Sequence, residues 1–193
     1  MAISYPLTPP AALEASRLSI TGTSAISRNV SPFTFQTQQY NWPGQGWLGS
    51  VECPPMQRAE AEQVLSFLLS AQRGTFYFGD YANPNARGNV TGTLTVSSAT
   101  ANTTTLGISG ATGSFAVGDW LQISTSLYKV VQVNSSSSVD LFPVLRASYA
   151  GGTAITYSSA RGVFRLAESS TQWSIDVAKF YGISFNVIED VAT

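Results

Sequence analysis

The sequence contains no histidine and only one cysteine. Without an imidazole, Ser–His and Cys–His nucleophile pairs and histidine-bound metal sites are excluded. A single cysteine cannot form an internal disulfide, which predicts a chain made in a reducing cytoplasm. This residue, Cys53, precedes two prolines and has no histidine base. We therefore expect it to be a small buried apolar side chain and not a reactive thiol.

Charge is also scarce, since 11% of the residues are charged and the formal net charge is −1. No run of basic residues is present, and binding to nucleic acid through its phosphates normally needs such a cluster. No apolar run approaches the length that crosses a bilayer, and no charged segment followed by an apolar one opens the chain. We therefore expect no specific nucleic-acid binding and no membrane association.

The polar residues that are present do not indicate a reaction. Lys129 and Lys179 are the only lysines, and both lie in alternating segments where a solvated face is expected. Four carboxylates are candidates for a glycosidase pair, but their spacing selects no pair: Asp119, Asp140, Glu168 and Asp176. We predict no catalytic residue, no cofactor-binding residue and no metal ligand, and we expect that the protein is not an enzyme.

One stretch, residues 56–72, has the period of a helix. Apolar residues recur there at helical spacing, and two more widen the apolar face: Ala61, Val64, Leu65, Leu68 and Ala71, with Phe67 and Leu69. Pro54 and Pro55 are typical of a first helical turn, which needs no N–H donors. Gly74 follows where a left-handed C-terminal cap is expected. The sequence predicts one well-buried helix in an otherwise β chain.

The residues before this helix predict strands and turns. Residues 5–10 contain three prolines and predict an extended arm or an edge segment. Residues 17–20 predict a short first strand, and residues 33–37 alternate as a half-buried strand does. Residues 43–46, Pro-Gly-Gln-Gly, predict the turn of a hairpin that carries two tryptophans.

The composition changes at residues 83–88, and the next seventy or so residues show five or six short strand patterns without a helix. This spacing predicts a small OB-like or SH3-like β-barrel over residues 85–160. We expect it to be inserted into a host domain formed by residues 1–84 and 161–193, and to be removable. Its predicted core is Leu94, Val96, Leu106, Ile108, Trp120, Ile123, Val130, Val133, Leu141 and Ile155.

The order of these motifs resembles a known family. A Phe-rich strand and a Trp-Pro-Gly turn precede a helix that opens Pro-Pro-Met-x-Arg-x-Glu-Ala, followed by Arg-Gly-Thr-Phe and Gly-Asp. The inserted block carries Val-Gly-Asp-Trp-Leu-Gln-Ile, Leu-Tyr-Lys-Val and Phe-Pro-Val-Leu-Arg, and Gly-Val-Phe-Arg-Leu and Trp-Ser-Ile-Asp follow it. Over residues 30–190 the chain resembles the distal tail proteins of long, flexible-tailed bacteriophages.

The resemblance implies a structural protein of the virion, located at the phage tail tip and made in the host bacterial cytoplasm. Its host domain would be a β-sandwich or barrel belt domain of the tail-tube type. Six copies would form a homohexameric ring that continues the tail tube. The implied partners are the tail tube protein, the tail-tip hub protein and the tape-measure protein in the lumen.

Two alternative functions remain open at this stage. One is another subunit of the tail-tube fold, such as a minor tail or terminator protein. The other is a carbohydrate-binding module in which Trp120, Tyr128 and Tyr149 of the barrel stack on a ligand. Barrel core is the favoured role for Trp120, whereas Trp42 and Trp47 fit either a core or an interface. Six scattered arginines are candidates for salt bridges between subunits: Arg17, Arg28, Arg87, Arg146, Arg161 and Arg165.

Overall fold

Two sheets and one helix make up the part of the chain that the computed structural model describes, residues 3–81 and 83–191. Numbered along the chain, the first sheet contains β1 (Arg17–Val30), β2 (Thr37–Glu52), β3 (Phe76–Phe78), β10 (Gly162–Leu166), β11 (Trp173–Ile175) and β12 (Tyr181–Glu189). The second contains β4 (Thr95–Ala99), β5 (Thr105–Ser109), β6 (Trp120–Ile123), β7 (Ser126–Ser135), β8 (Ser138–Phe142) and β9 (Ile155–Thr156). The helix, α1, is Arg58–Ala71. Of the predicted host domain, residues 1–2, 82 and 192–193 lie outside the described residues.

Strands from both ends of the chain share the first sheet. Its order is β1-β2-β12-β10-β3, and β11 pairs with the start of β12. All of these neighbouring strands are antiparallel. Helix α1 covers one face, where its buried side chains form one core with Val51, Phe76, Phe164 and Val187.

The second sheet curls into a nearly closed barrel. Its order is β4-β5-β8-β7-β6-β9, and an antiparallel bridge between Thr95 and Ala154 brings the two ends together. The N–H of Val96 donates to the Thr153 carbonyl at 2.8 Å, beside that bridge. The prediction of a mainly β chain with one helix and a small barrel is therefore confirmed.

The core of the barrel agrees with the prediction except at two positions. Val133 is only partly buried, and Trp120 lies outside the barrel, where it packs against the core of the first sheet. On β6 the side chains alternate, so Leu121 and Ile123 face inward and Trp120 faces outward. The prediction that Trp120 and Ile123 share one core was wrong because positions three apart on a strand face opposite ways.

Helix α1 buries the predicted face, but its start differs from the prediction. Leu69 alone among the predicted apolar residues is exposed. The helix begins after Gln57, and Met56 still pairs with Tyr181 of β12 in an antiparallel bridge. Pro54 and Pro55 therefore belong to an extended segment and do not form the first helical turn.

Gly74 does not form the predicted left-handed cap. Its φ angle is not positive, and the residue that caps the helix after Ala71, Gln72, lies in the right-handed region. The glycine is required for a different reason, because an added Cβ would lie 2.4 Å from the ring of Tyr5. The Tyr5 hydroxyl donates to the Ser70 carbonyl at 2.9 Å, which holds the ring over the helix end.

The predicted hairpin turn at residues 43–46 is wrong. These residues lie within β2, and the chain instead turns at residues 31–36, part of which was predicted as a strand. Pro43 is accepted because the β1–β2 register shifts there, between the pairs Ser24–Gln45 and Ile26–Asn41. On its other side this part of β2 has no partner strand among the residues described, so the missing N–H of proline is not needed.

The proline-rich arm is an edge segment, as predicted. Leu7 pairs in parallel with Phe76 of β3, donating its N–H to the Thr75 carbonyl at 2.8 Å and accepting from the Tyr77 N–H at 2.9 Å. The arm therefore covers the β3 edge of the first sheet. The opposite edge, β1, has no such cover among the described residues.

The buried face of α1 is expected to dominate the stability of the first sheet. Leu68 is fully buried and its neighbour Leu69 is half exposed, which gives a matched pair. Leu68→Ala should lower the free energy of unfolding by about 2–5 kcal/mol, because the side chain leaves a cavity. Leu69→Ala and Ser66→Ala should each cost little. Chemical denaturation measures all three, and equal losses for Leu68 and Leu69 would contradict this account of the helix.

Candidate functional site

A two-stranded ribbon is the most exposed part of the molecule. Within the described residues, β1 and β2 pair only with each other from Thr23 to Gly46, because β12 begins to pair with β2 at Leu48. We call residues 23–46 the ribbon. Its side chains are almost all exposed, and Arg28 is its single charged residue. At about 3.3 Å per residue the paired strands extend roughly 25 Å from the body.

The ribbon carries apolar side chains on both faces and at its end. Phe33 and Phe35, at the turn, are 91% and 80% exposed. On one face the rings of Tyr40 and Trp42 contact each other edge to face at 4.6 Å. Ile26 and Val30 are also exposed, on the strand β1. An isolated two-stranded ribbon is at best marginally stable in water, so this segment has the properties of an interaction surface.

The end of the ribbon is ordered by its own backbone. The Phe35 N–H donates to the Ser31 carbonyl, and the Ser31 N–H donates to the Gln36 carbonyl, both at 2.9 Å. Phe35 has a φ of 55°, in the left-handed region. This region costs a residue with a side chain roughly 1–2 kcal/mol. The turn therefore holds a bulky ring in the solvent in a conformation that glycine would adopt more readily.

A second apolar protrusion lies at the hairpin that joins β11 and β12. Four of its side chains are exposed: Trp173, Ile175, Val177 and Phe180. Asp176 fixes the turn by accepting the Phe180 N–H on Oδ1 at 2.8 Å. In the barrel the only large apolar residues exposed, among those described, are Val117 and Val131. Exposed apolar surface is thus concentrated on the first sheet.

A buried ion pair fixes the base of the ribbon. Arg146, from the loop after β8, donates from Nη2 to Glu189 Oε2 and from Nη1 to the Gln45 carbonyl, both at 2.6 Å. Glu189 Oε2 also accepts the Trp47 N–H at 3.2 Å. Burial raises the pKa of Glu189, while the Arg146 charge and the Trp47 N–H oppose that shift. We call Arg146, Glu189 and Gln45 the base clamp.

Aromatic side chains join the barrel to the same place. Trp47 contacts the rings of Trp120 and Phe142 edge to face, each at 5.0 Å. Its indole N–H donates to the Leu127 carbonyl at 2.9 Å, and Leu127 itself belongs to the core of the first sheet. Removability of residues 85–160 stays a prediction, but excision would now expose Trp47 and leave Glu189 without its arginine.

The aromatic side chains proposed as a stacking platform do not form one. Tyr128 is fully buried, and its hydroxyl lies 2.9 Å from that of Tyr149. Trp120 packs on Trp47, and Lys129 Nζ lies 4.3 Å from the Trp120 ring centre. Since the three rings share no exposed face, the hypothesis of a carbohydrate platform on the barrel loses its structural basis.

The carboxylates that were candidates for a glycosidase pair each have local partners. Asp119 is buried and accepts the backbone N–H groups of Arg87, Gly88 and Ala116, which closes a turn. The other three bond to separate neighbours: Asp140 to Thr105, Glu168 to Asn186 and Asp176 to Phe180. Within the described residues no group of three or more acidic or cysteine side chains is placed to hold a metal.

The burial of Cys53, Trp47 and Trp42 distinguishes the roles that the sequence left open for them. Cys53 is buried as predicted, and burial raises the pKa of its thiol to about 11, so the unreactive protonated form prevails. Trp47 belongs to the core and Trp42 to the exposed ribbon.

Of the arginines predicted to form salt bridges between subunits, Arg146 forms a buried pair within the chain, whereas Arg28 bonds to Gln39 and Arg165 lies 3.9 Å from Asp190.

A polar groove of about 500 Å³ lies on the face of the first sheet away from the helix. Arg17 and Glu52 line it beside the loop that carries Glu168. Among the described side chains the only buried polar atom without a partner is Arg146 Nε, which lies in the base clamp and not in this groove. The groove therefore has no built ligand position.

Comparison of the sequence with protein-family models and with curated proteins gave no match. In the part of the chain that the structure describes, no helix has the length and apolar character needed to cross a membrane. Exposed apolar side chains or unpaired strand edges occur, among the described residues, at the ribbon, the β11–β12 hairpin and the outer side of β1.

The base clamp predicts a pH-dependent loss of stability in Arg146→Met. Without the guanidinium, Glu189 is a buried carboxylate with no cation, which should cost about 3–5 kcal/mol near neutral pH. The folded-state pKa of Glu189 then lies even further above its unfolded value. Protonation therefore favours the folded variant, and the loss should shrink as the pH falls through that raised pKa.

Thermal unfolding between pH 4 and pH 8 measures this effect. Arg165→Met is the matched control, because its pair with Asp190 is exposed and should contribute little. Adding Glu189→Gln to Arg146→Met should restore part of the stability at neutral pH. A loss that does not depend on pH, or that equals the loss in the control, would contradict the role given to the clamp.

Proposed function

We propose that this chain is a structural subunit of the distal tail of a long-tailed bacteriophage. Six copies assemble side by side into a closed ring in the virion. The ring continues the tail tube, seats the tail-tip hub protein beneath it and leaves a lumen for the tape-measure protein and the DNA. The phage context rests on the motif order described above, and the capacity to assemble rests on the ribbon.

The observation that carries the proposal is the ribbon's two free strand edges. In the part of the chain that the structure describes, β1 is open along its outer side, and β2 is open over the ribbon, where β12 does not reach. Unpaired strand edges pair with other strands. Because the two edges belong to different strands, their contact is heterologous, and a heterologous contact that closes gives a ring.

The β3 edge of the first sheet also supports assembly through the ribbon and β1. The arm already pairs Leu7 with β3, so this edge is blocked by the subunit's own chain. Lateral pairing is therefore left to the ribbon and the rest of β1. Arg28 is the single charged residue of the ribbon, and this low charge is compatible with a lumen that does not retain DNA.

A second candidate function within the virion is another subunit of the tail-tube fold, such as a minor tail or terminator protein. The same free edges favour it, and only the place of the ring in the tail separates it from a distal tail protein. A free carbohydrate-binding module is disfavoured because Tyr128 is buried and Trp120 packs on the first sheet. Such a module would also appear as single globules.

Ring formation is tested by negative-stain microscopy and by sedimentation over a range of concentrations. We expect six-fold rings at high concentration. Ser27→Lys places a charge on the open β1 edge. We expect the charge to weaken the edge contact by at least about 1.4 kcal/mol, which raises the concentration needed for assembly tenfold. Ser135→Lys, on an exposed position of the barrel, is the control and should assemble normally.

Two results would overturn the ring proposal. One is unchanged assembly of Ser27→Lys. The other is a tail-tip reconstruction that places this chain outside any six-fold ring.

Affinity for DNA should be weak although DNA passes through the proposed ring. The net charge is −1 and the sequence pI is near 5.3, so no strong attraction to phosphates is expected. Titration of a labelled duplex at physiological salt should give no binding below the micromolar range. Tight binding that weakens steeply with added salt would contradict the proposed role as a conduit.

A further inference from the structure

We propose that the ribbon tip of one copy docks against the β11–β12 hairpin of another copy. The ribbon tip is residues 31–36, with Phe33 and Phe35, and the hairpin carries Trp173, Ile175, Val177 and Phe180. The proposal rests on the self-association proposed above. It adds a second contact, separate from the pairing of strand edges.

The two surfaces lie at opposite ends of one sheet. β2 runs away from the ribbon tip, and its last residue, Glu52, pairs with Ser184 of β12. The hairpin precedes Tyr181, so it lies beyond this end of β2. Along β2 alone the separation is on the order of 50 Å. The tip and the hairpin of one chain therefore cannot meet, whereas those of two copies in the same orientation can when one copy is displaced along the strand direction.

The exposed area fits an interface of ordinary size. At about 200 Å² per aromatic side chain, Phe33 and Phe35 offer roughly 340 Å² at 91% and 80% exposure. Trp173 and Phe180, at 42% and 38%, add roughly 160 Å². The fully exposed Val177 adds to this. A specific interface needs at least about 1,200 Å² in all, somewhat more than half of it apolar, and these side chains supply most of that.

The charges of the two surfaces do not oppose contact. Residues 29–38 contain no charged side chain. The hairpin has Asp176 and Lys179, which are opposite in sign, and Asp176 is already bonded to the Phe180 N–H. Neither surface therefore brings a like charge against the other.

A second copy accounts for more of the exposed surface than a lipid bilayer does. Insertion of the tip into lipid would cover Phe33 and Phe35 but leave the apolar side chains of the hairpin, at the other end, in water. Contact between copies covers both. The left-handed conformation of Phe35, which keeps its ring directed into solvent at an energetic cost, is consistent with a ring that is needed by a partner.

Cysteine cross-linking between two variants tests the contact directly. Thr34→Cys marks the tip and Val177→Cys, carrying a size tag, marks the hairpin; the natural Cys53 is buried and stays in place. Mixing the two under mild oxidation should give a disulfide-linked dimer of one tagged and one untagged chain. Untagged dimers formed by Thr34→Cys alone would indicate tip-to-tip contact and overturn the proposal. So would the lack of any mixed dimer in an assembled sample.

Phe35→Gly separates association from folding. Glycine accepts the left-handed φ, so the thermal midpoint should be unchanged or higher, while the concentration needed for association should rise about tenfold or more. Val131→Ser, which removes an exposed apolar side chain from the barrel, should change neither quantity. Unchanged association of Phe35→Gly would overturn the proposal. Co-sedimentation of the natural chain with phosphatidylcholine vesicles, lost in Phe35→Gly, would assign the tip to lipid instead.

The outcomes distinguish this inference from the proposed ring. Six-fold rings without the mixed disulfide would leave the ring standing and remove the tip–hairpin contact. Mixed disulfides in open chains that never close would keep the contact and remove the ring.

Discussion

The fold depends on a change of partners along one strand. From Leu48 to Glu52, β2 pairs with β1 on one side and with β12 on the other. The side chains of this part that face the helix belong to the core. Before Leu48, β1 is the one partner of β2 among the described strands. The same strand is thus a central strand of a buried sheet at one end and half of a free ribbon at the other. Backbone pairing, and not the local sequence, sets this division.

The barrel supports the strand at the place where its partners change. Gln45 and Trp47 are the residues that the barrel holds, through Arg146 and through the contacts of Trp120 and Phe142. A buried ion pair is a weak source of net stability, because both charges must lose water. Its geometry is specific, however, and here it ties a loop of the barrel to the backbone at the ribbon's base. The inserted barrel therefore orients the ribbon.

The sequence predicted what depends on neighbours along the chain and missed what depends on distant ones. The buried face of the helix follows from its own period, and most of the barrel core follows from strand alternation. The Pro43-Gly44 pair has the local signature of a turn, but the pairing of β1 with β2 across the register shift overrides it. The pair of Arg146 and Glu189 joins residues far apart in sequence and leaves no local pattern. The exposure of Phe33 and Phe35 could not be predicted from the sequence, because apolar residues are expected to be buried.

The β1 edge, which no described residue covers, has a consequence for an isolated copy of the chain. Backbone donors and acceptors are the same in every strand, so an open edge selects its partner only through the side chains beside it. Correct and incorrect pairing then compete as two concentration-dependent reactions. If the proposed ring forms, the chain is best made when its acceptor is already present, since rapid capture would leave little time for aggregation. The order of synthesis and assembly would then limit aggregation.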